Sequence, residues 1–189
     1  MIQPLKGWLF EVRLRLLEPA PLRLKSRQQR PAAVFVPLLV RGGTLWTILV
    51  QRSERVSQHR RQLAFPGGSL ELGEDPWEAA MREVAEEIGL SPRSVLRLGE
   101  LDEQATPTGY RITPCVGAVP GSFEPRVDGG EIEDAFAVRL ADLKDPESTD
   151  LHPILINGER RTLRLYRVGD RVIWGVTARI LENLLARLS

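Results

Sequence analysis

The stretch Gly68–Leu90 reads GSLELGEDPWEAAMREVAEEIGL, and its spacing predicts one amphipathic helix over 76–88. Asp75 is placed to cap the first turn, Pro76 suits its opening position, and Gly89 stops it. On a helical wheel with Glu83 as origin, Glu86 falls at about −60° and Glu87 at about +40°. Trp77, Met81, Val84 and Ile88 fall between about +100° and +160°. One arc is therefore apolar, and a separate arc carries three carboxylates. Ala79, a turn before Glu83, is small and leaves room beside the acidic arc. Carboxylates three and four residues apart repel by roughly 0.2–0.5 kcal/mol per pair. Near a helix C-terminus the macrodipole adds to that cost. Hard oxygen donors grouped in this way suit Mg²⁺ or Mn²⁺, above all when substrate phosphates complete the coordination. The alternative is a solvated acidic face.

Working outward, Ala33–Val40 and Leu45–Val50 are apolar runs separated by Arg41-Gly42-Gly43-Thr44, the pattern of a β-hairpin with a glycine turn. Residues 51–65 are polar and basic and read as a loop. Strands are expected at 96–102, 111–119 and 134–139. A last hairpin joins Thr162–Val168 to Arg171–Trp174 through Gly169-Asp170, and a C-terminal helix comes after it over 176–188. At the other end, Leu5, Trp8, Leu9, Val12 and Leu16 have helical spacing, and Pro19, Pro21 and Pro31 break regular structure in the connector after them. Mixed strands and helices with several hairpins give an α+β class or a layered α/β/α sandwich.

The chain has 189 residues with 26 Lys+Arg against 25 Asp+Glu, a formal net charge of +1. At about 150 residues per domain that is one domain: 1–30 as an N-terminal helix and connector, and 31–189 as the core. The charge balance speaks against a nucleic-acid or anionic-membrane coat. No run of about 18 apolar residues occurs, so no transmembrane helix is expected. The single cysteine, Cys115, excludes an internal disulfide and a cysteine-rich zinc site. The default address is the cytoplasm; an organellar one stays open because the first 30 residues are rich in arginine and poor in acids.

Gly68, Glu74 and the run Arg82-Glu83-Val84-Ala85-Glu86-Glu87-Ile88-Gly89-Leu90 resemble the Nudix box at every defining position. The resemblance implies a Nudix α/β/α sandwich with a mixed sheet, in which the box forms a loop–helix–loop, here with added N-terminal and C-terminal helices. It implies a pyrophosphatase, a metal-dependent hydrolase of the diphosphate linkage in a nucleoside diphosphate joined to a group X. Glu86 and Glu87 match metal ligands. Glu83 matches a residue that binds metal or deprotonates the attacking water. The Gly67 carbonyl matches a backbone ligand. Arg82 and Glu74 match a pair that orients the carboxylates, and Arg82, Glu83 and Glu86 are grouped as the catalytic set. Downstream, Glu131 and Glu133 resemble an acidic position that often completes the metal cluster.

Ile48-Leu49-Val50-Gln51-Arg52-Ser53 through Phe65-Pro66-Gly67-Gly68 resembles the extra motif of the coenzyme A pyrophosphatases, a branch of the Nudix superfamily. Arg52, Ser53, His59, Gln62 and the FPGG element match it. Ser57 and Arg61 stand where arginine and glycine are usual. Residues 99–117 and 172–184 look like the same branch. The resemblance implies cleavage of CoA or acyl-CoA to 3′,5′-ADP and 4′-phosphopantetheine or its acyl form. Arginines suit the phosphates of such a substrate, which places Arg52, Ser53, His59, Arg60, Arg61 and Phe65 at the substrate, with Arg55 in the same basic loop. Other Nudix substrates (NADH, ADP-ribose, a nucleoside triphosphate) and a non-catalytic ligand-binding module are the alternatives. The partner is a small nucleotide, and the chain is a monomer or homodimer.

Four aromatics, Trp46, Tyr110, Phe123 and Trp174, are considered for stacking on adenine; Tyr110, beside Gly109, is preferred. Cys115 reads as a small buried hydrophobe. His152 has no catalytic partner near it in sequence.

Overall fold

The computed structural model describes residues 3–25, 28–53, 62–127, 129–156 and 159–189. After helix α1 (Gln3–Leu17) come strands β1 (Arg30–Arg41), β2 (Thr44–Arg52), β3 (Leu63–Ala64) and β4 (Gly67–Ser69), then helix α2 (Pro76–Ile88). Next are strands β5 (Leu96–Glu100), β6 (Gln104–Ala105), β7 (Tyr110–Ala118) and β8 (Ile132–Arg139). The chain ends in β9 (Thr149–Ile156), β10 (Glu159–Val168), β11 (Arg171–Ile173) and helix α3 (Gly175–Arg187).

The main sheet runs β3-β2-β1-β7-β5, with β4 on β1, β6 on β7 and β8 on β2. It is mixed: β1 and β7 are parallel from Arg30↔Tyr110 to Leu38↔Ala118, while β1 and β2 are antiparallel. Their hairpin turns on Gly42 and Gly43 at φ +57° and +76°, the two positive values that a type I′ turn demands. A second, antiparallel sheet runs β11-β10-β9.

Side-chain alternation along β1 explains the layering. Ala33, Phe35 and Leu39 pack with Met81, Val84 and Ile88 of α2 on one face. Val36 and Leu38 pack with Val12 and Leu16 of α1 and Leu181 and Leu184 of α3 on the other. A sheet buried on both faces gives the α/β/α sandwich.

Helix α2 keeps the expected boundaries. The Asp75 carboxylate accepts from the Glu78 N–H at 2.8 Å, the Glu78 carboxylate accepts from the Asp75 N–H at 2.9 Å, and Gly89 closes the helix at φ +68°. Two expectations need correction. Residues 51–65 are not all loop: β2 runs to Arg52, and Leu63–Ala64 pairs back on it. The last hairpin is a three-stranded unit, because Thr149–Ile156 pairs with β10 along its whole length.

Candidate active site

Arg82 is the hub of the box. Its guanidinium grips Glu74 through two hydrogen bonds, Nε to Oε1 at 2.9 Å and Nη2 to Oε2 at 3.0 Å. It also donates to Glu83 Oε1 at 2.8 Å and to the Ser69 carbonyl at 3.1 Å. Bonding to Glu74 and then to Glu83 raises its pKa and keeps it charged, and Arg82 in turn holds the Glu74 carboxyl below its usual value.

Glycine 68 makes room for the Glu83 carboxylate. A Cβ there would collide with Glu83, and one at Gly67 (φ +153°) would collide with the Ala33 carbonyl. Ala79, expected to leave room beside the acids, is fully buried in the core under α2.

The three box carboxylates differ in environment. The Glu86 side chain is 62% exposed, Glu83 17% and Glu87 9%. Glu87 accepts from the Gly67 N–H at 2.9 Å. Burial pushes its carboxyl up to about 7, the charges of Glu83 and Glu131 add to the rise, and the Gly67 N–H and Arg52 oppose it.

One cleft of about 980 Å³ is lined by Gly67, Gly68, Glu83, Glu86 and Glu87, near the upper end for small-molecule sites. Arg52, Glu131, Phe65 and Tyr110 also line it. Arg82 and Glu74 both lie off it. Arg82, grouped with the catalytic residues, has its donors engaged by Glu74, Glu83 and the Ser69 carbonyl. Arg52 lies between two carboxylates, Nη1 3.9 Å from Glu87 and Nη2 3.3 Å from Glu131, so part of its charge is engaged within the protein. Ser53 is only 5% exposed and does not line the cleft; its N–H donates to the Glu131 carbonyl at 2.8 Å. Glu133 lies off the cleft with its carboxylate 3.4 Å from the Gln51 amide. Arg55, Ser57, His59, Arg60 and Arg61, expected in the basic loop, lie outside the described residues. Of the four aromatics, Tyr110 and Trp174 line the cleft, while Trp46 and Phe123 pack on the core beneath α2.

Sequence reasoning missed much of the cleft lining, including Ile112, Ile154, Leu163, Val176 and Ile180 as well as Thr106, Thr108, Thr177 and Arg179. The aliphatic ones belong to apolar strand or helix stripes, and each reads locally as core. The pairing of β9 with β10 places Ile154 and Leu163, while Ile112 comes from β7 and Val176 and Ile180 from α3.

The NUDIX domain family matches residues 29–157. The chain belongs to the Nudix family. Among curated relatives, "Uncharacterized Nudix hydrolase NudL" of Klebsiella pneumoniae (strain 342) is 34% identical over 180 residues, covering 93% of this chain and 91% of that protein. The protein of the same name in Escherichia coli (strain K12) is 33% identical over 187 residues, with the same coverage. Among solved structures, a MutT/nudix family protein from Enterococcus faecalis aligns over 93% of this chain and 68% of its own, with TM-score 0.58 at 15% identity. The C. elegans Ap4A hydrolase binary complex aligns over 59% and 81%, with TM-score 0.51 at 20% identity. These likenesses show that the Nudix fold is shared.

Nudix hydrolases in general use divalent metal ions, and the donors here fit such an ion by chemistry. Glu83, Glu86 and Glu87 are hard oxygen donors that line one cleft with Gly67, and burial, with the neighbouring charges of Glu83 and Glu131, raises the Glu87 carboxyl. The donors are not gathered, however: among the described residues no three His, Cys, Asp or Glu side chains are grouped to hold an ion. Glu83 is bonded to Arg82 and Glu87 to the Gly67 N–H.

Proposed function

We propose that this Nudix hydrolase is a CoA diphosphatase, cleaving CoA or acyl-CoA to 3′,5′-ADP and 4′-phosphopantetheine or its acyl form. The observation that carries the reading is the mixed lining of one large cleft, in which Glu83, Glu86, Glu87 and Arg52 stand with Ile112, Ile154, Leu163 and Val176. A CoA-type substrate combines the same two chemistries, a charged diphosphate and a long arm that carries no charge. The match of Arg52 and Phe65-Pro66-Gly67-Gly68 to the CoA motif supports the same substrate.

Glu83, Glu86, Glu87 and the Gly67 carbonyl would hold Mg²⁺ or Mn²⁺, with Glu131 near enough through Arg52 to share the site. A bound ion of this kind neutralises the diphosphate and acidifies water. Within the protein, Arg82 fixes the Glu83 carboxylate, leaving its other oxygen to take a ligand or a proton. Arg52 lines the cleft and offers guanidinium donors to a phosphate once its carboxylate partners are otherwise engaged. Tyr110 and Trp174 present ring faces for the adenine.

The test is a panel of CoA, acetyl-CoA, NADH, ADP-ribose and nucleoside triphosphates, incubated with Mg²⁺ or Mn²⁺ and read by mass spectrometry. CoA and its thioester are expected to yield 3′,5′-ADP. Survival of both while ADP-ribose or NADH is consumed would replace the substrate and keep the chemistry. Glu86→Gln, at an exposed position, is expected to lower kcat by at least about 100-fold with an unchanged circular dichroism spectrum.

A further inference from the structure

We propose that helix α1 rests its outer face on an anionic membrane surface. The helix is apolar on two opposite faces. With Val12 as origin on a helical wheel, Leu16 falls at about 40°, while Leu17, Phe10 and Leu14 fall at about 140°, 160° and 200°. Val12 and Leu16, 3% and 0% exposed, pack in the core with Leu181 and Leu184 of α3. The opposite face looks outward, with Phe10 65%, Leu14 48% and Leu17 50% exposed, and Leu22 in the connector is 69% exposed. Four of the ten large apolar side chains exposed among the described residues therefore fall between positions 10 and 22. Such a concentration marks an interaction surface, where singly scattered leucines would not. Core packing and the Arg187 bond to the Leu16 carbonyl hold α1 on the body, so the outer face is formed before anything covers it.

Charge decides what covers that face. The whole chain is balanced at +1, yet residues 1–30 hold seven Lys and Arg against two Glu, so a strong positive excess is local to this end. Arg13, at about 100° on the same wheel, borders the outer apolar face. Arg13 and Lys25 are exposed, and among the described residues neither has an ion-pair partner. Arg15 and Arg23, by contrast, are held by Glu11 and by Glu100 with Glu103. An apolar stripe bordered by free cations matches a lipid surface with negative headgroups and an acyl layer that takes Phe and Leu. Nucleic acid offers the phosphates without the apolar layer. A second copy docked two-fold through α1 would set one cationic segment against another. At 15 residues α1 is about 22 Å long, short of the about 30 Å hydrocarbon layer, so it lies along the surface.

Co-sedimentation of the full chain with vesicles tests this, using phosphatidylcholine alone or with one lipid in three replaced by phosphatidylglycerol, at low and at high NaCl. Binding to the anionic vesicles is expected at low salt, with a marked loss in high salt or on neutral vesicles. Arg13→Gln is expected to lower the partition coefficient about fivefold. The double variant Phe10→Gln/Leu14→Gln is expected to lower it about tenfold or more. Leu72→Gln, at an exposed leucine outside α1, should leave it unchanged. Thermal melts confirm that each variant folds. Failure to bind anionic vesicles, equal binding to neutral ones, or undiminished binding by the Phe10→Gln/Leu14→Gln chain would overturn the proposal. So would a dimer in light scattering that this double variant converts to a monomer, because a second copy would then cover the stripe. None of these results bears on CoA hydrolysis, which is assayed without lipid.

Discussion

Glu87 occupies its position against its own preference. A carboxyl raised from 4.5 to about 7 takes up a proton when the chain folds. Its stabilising effect is therefore complete below pH 4.5 and is lost as pH rises through 7. At pH 8 the buried anion costs the metal-free protein on the order of 3 kcal/mol. Glu87→Gln removes that charge and keeps an oxygen to accept from the Gly67 N–H. In EDTA at pH 8 the variant is expected to melt several degrees above the unmodified protein, and the gap should close as pH falls towards 5. Added Mg²⁺ is expected to raise the Tm of the unmodified protein and to leave the variant's almost unmoved. Paired thermal melts check this; equal Tm values in EDTA at pH 8 would show that Glu87 carries no such strain. The glutamates themselves are legible as a motif. Their unequal burial is not, because it depends on Gly67, Arg52 and Glu131, which come from other elements.

Helix α2 and the short β4 strand act as one element of the site. The pairing of Ala33↔Gly68 and Val34↔Gly67 presses β4 against β1, and the missing Cβ at Gly68 leaves the gap that Glu83 enters. Gly68→Ala is expected to displace the Glu83 carboxylate and lower kcat by roughly 10–100-fold while Tm changes little. A titration of turnover against Mg²⁺ alongside a melting curve checks it, and unaltered kcat would mean that the site tolerates a shifted Glu83. At this scale α2 is fully legible, since Asp75, Pro76 and Gly89 are local signals. Strand β9 is not: TDLHPILI has Pro153 in its middle and only a short apolar run, and its strand character comes from pairing with β10. Without that pairing, Ile154 and Leu163 are not legible in the sequence as part of the cleft lining.

Across the molecule, the connector after α1 is clasped to the C-terminal helix. Arg187, 7% exposed, donates to the carbonyls of Leu16 at 3.1 Å and Pro19 at 2.7 Å and to Asp102 at 2.8 Å. Asp102 also accepts from Asn183 at 2.9 Å and from the Leu22 N–H at 2.9 Å. Arg187→Ala removes the donor to the Leu16 and Pro19 carbonyls and one of the donors to Asp102 and is expected to cost about 1–3 kcal/mol, or roughly 3–9 °C in Tm. Because Arg187 lies at the end of α3 remote from the cleft lining, turnover per folded molecule should stay near the unmodified value. Thermal melts and active-site-normalised rates measure both quantities. The terminal helices themselves are legible from their apolar spacing, whereas this clasp joins residues about 170 positions apart and has no local signature.

The cleft is assembled from two stretches of chain, with the box glutamates on one and Leu163, Val176 and Ile180 on the other. A substitution at Leu163, Val176 or Ile180 therefore reshapes the cavity while leaving its charged groups on their own, distant stretch of chain.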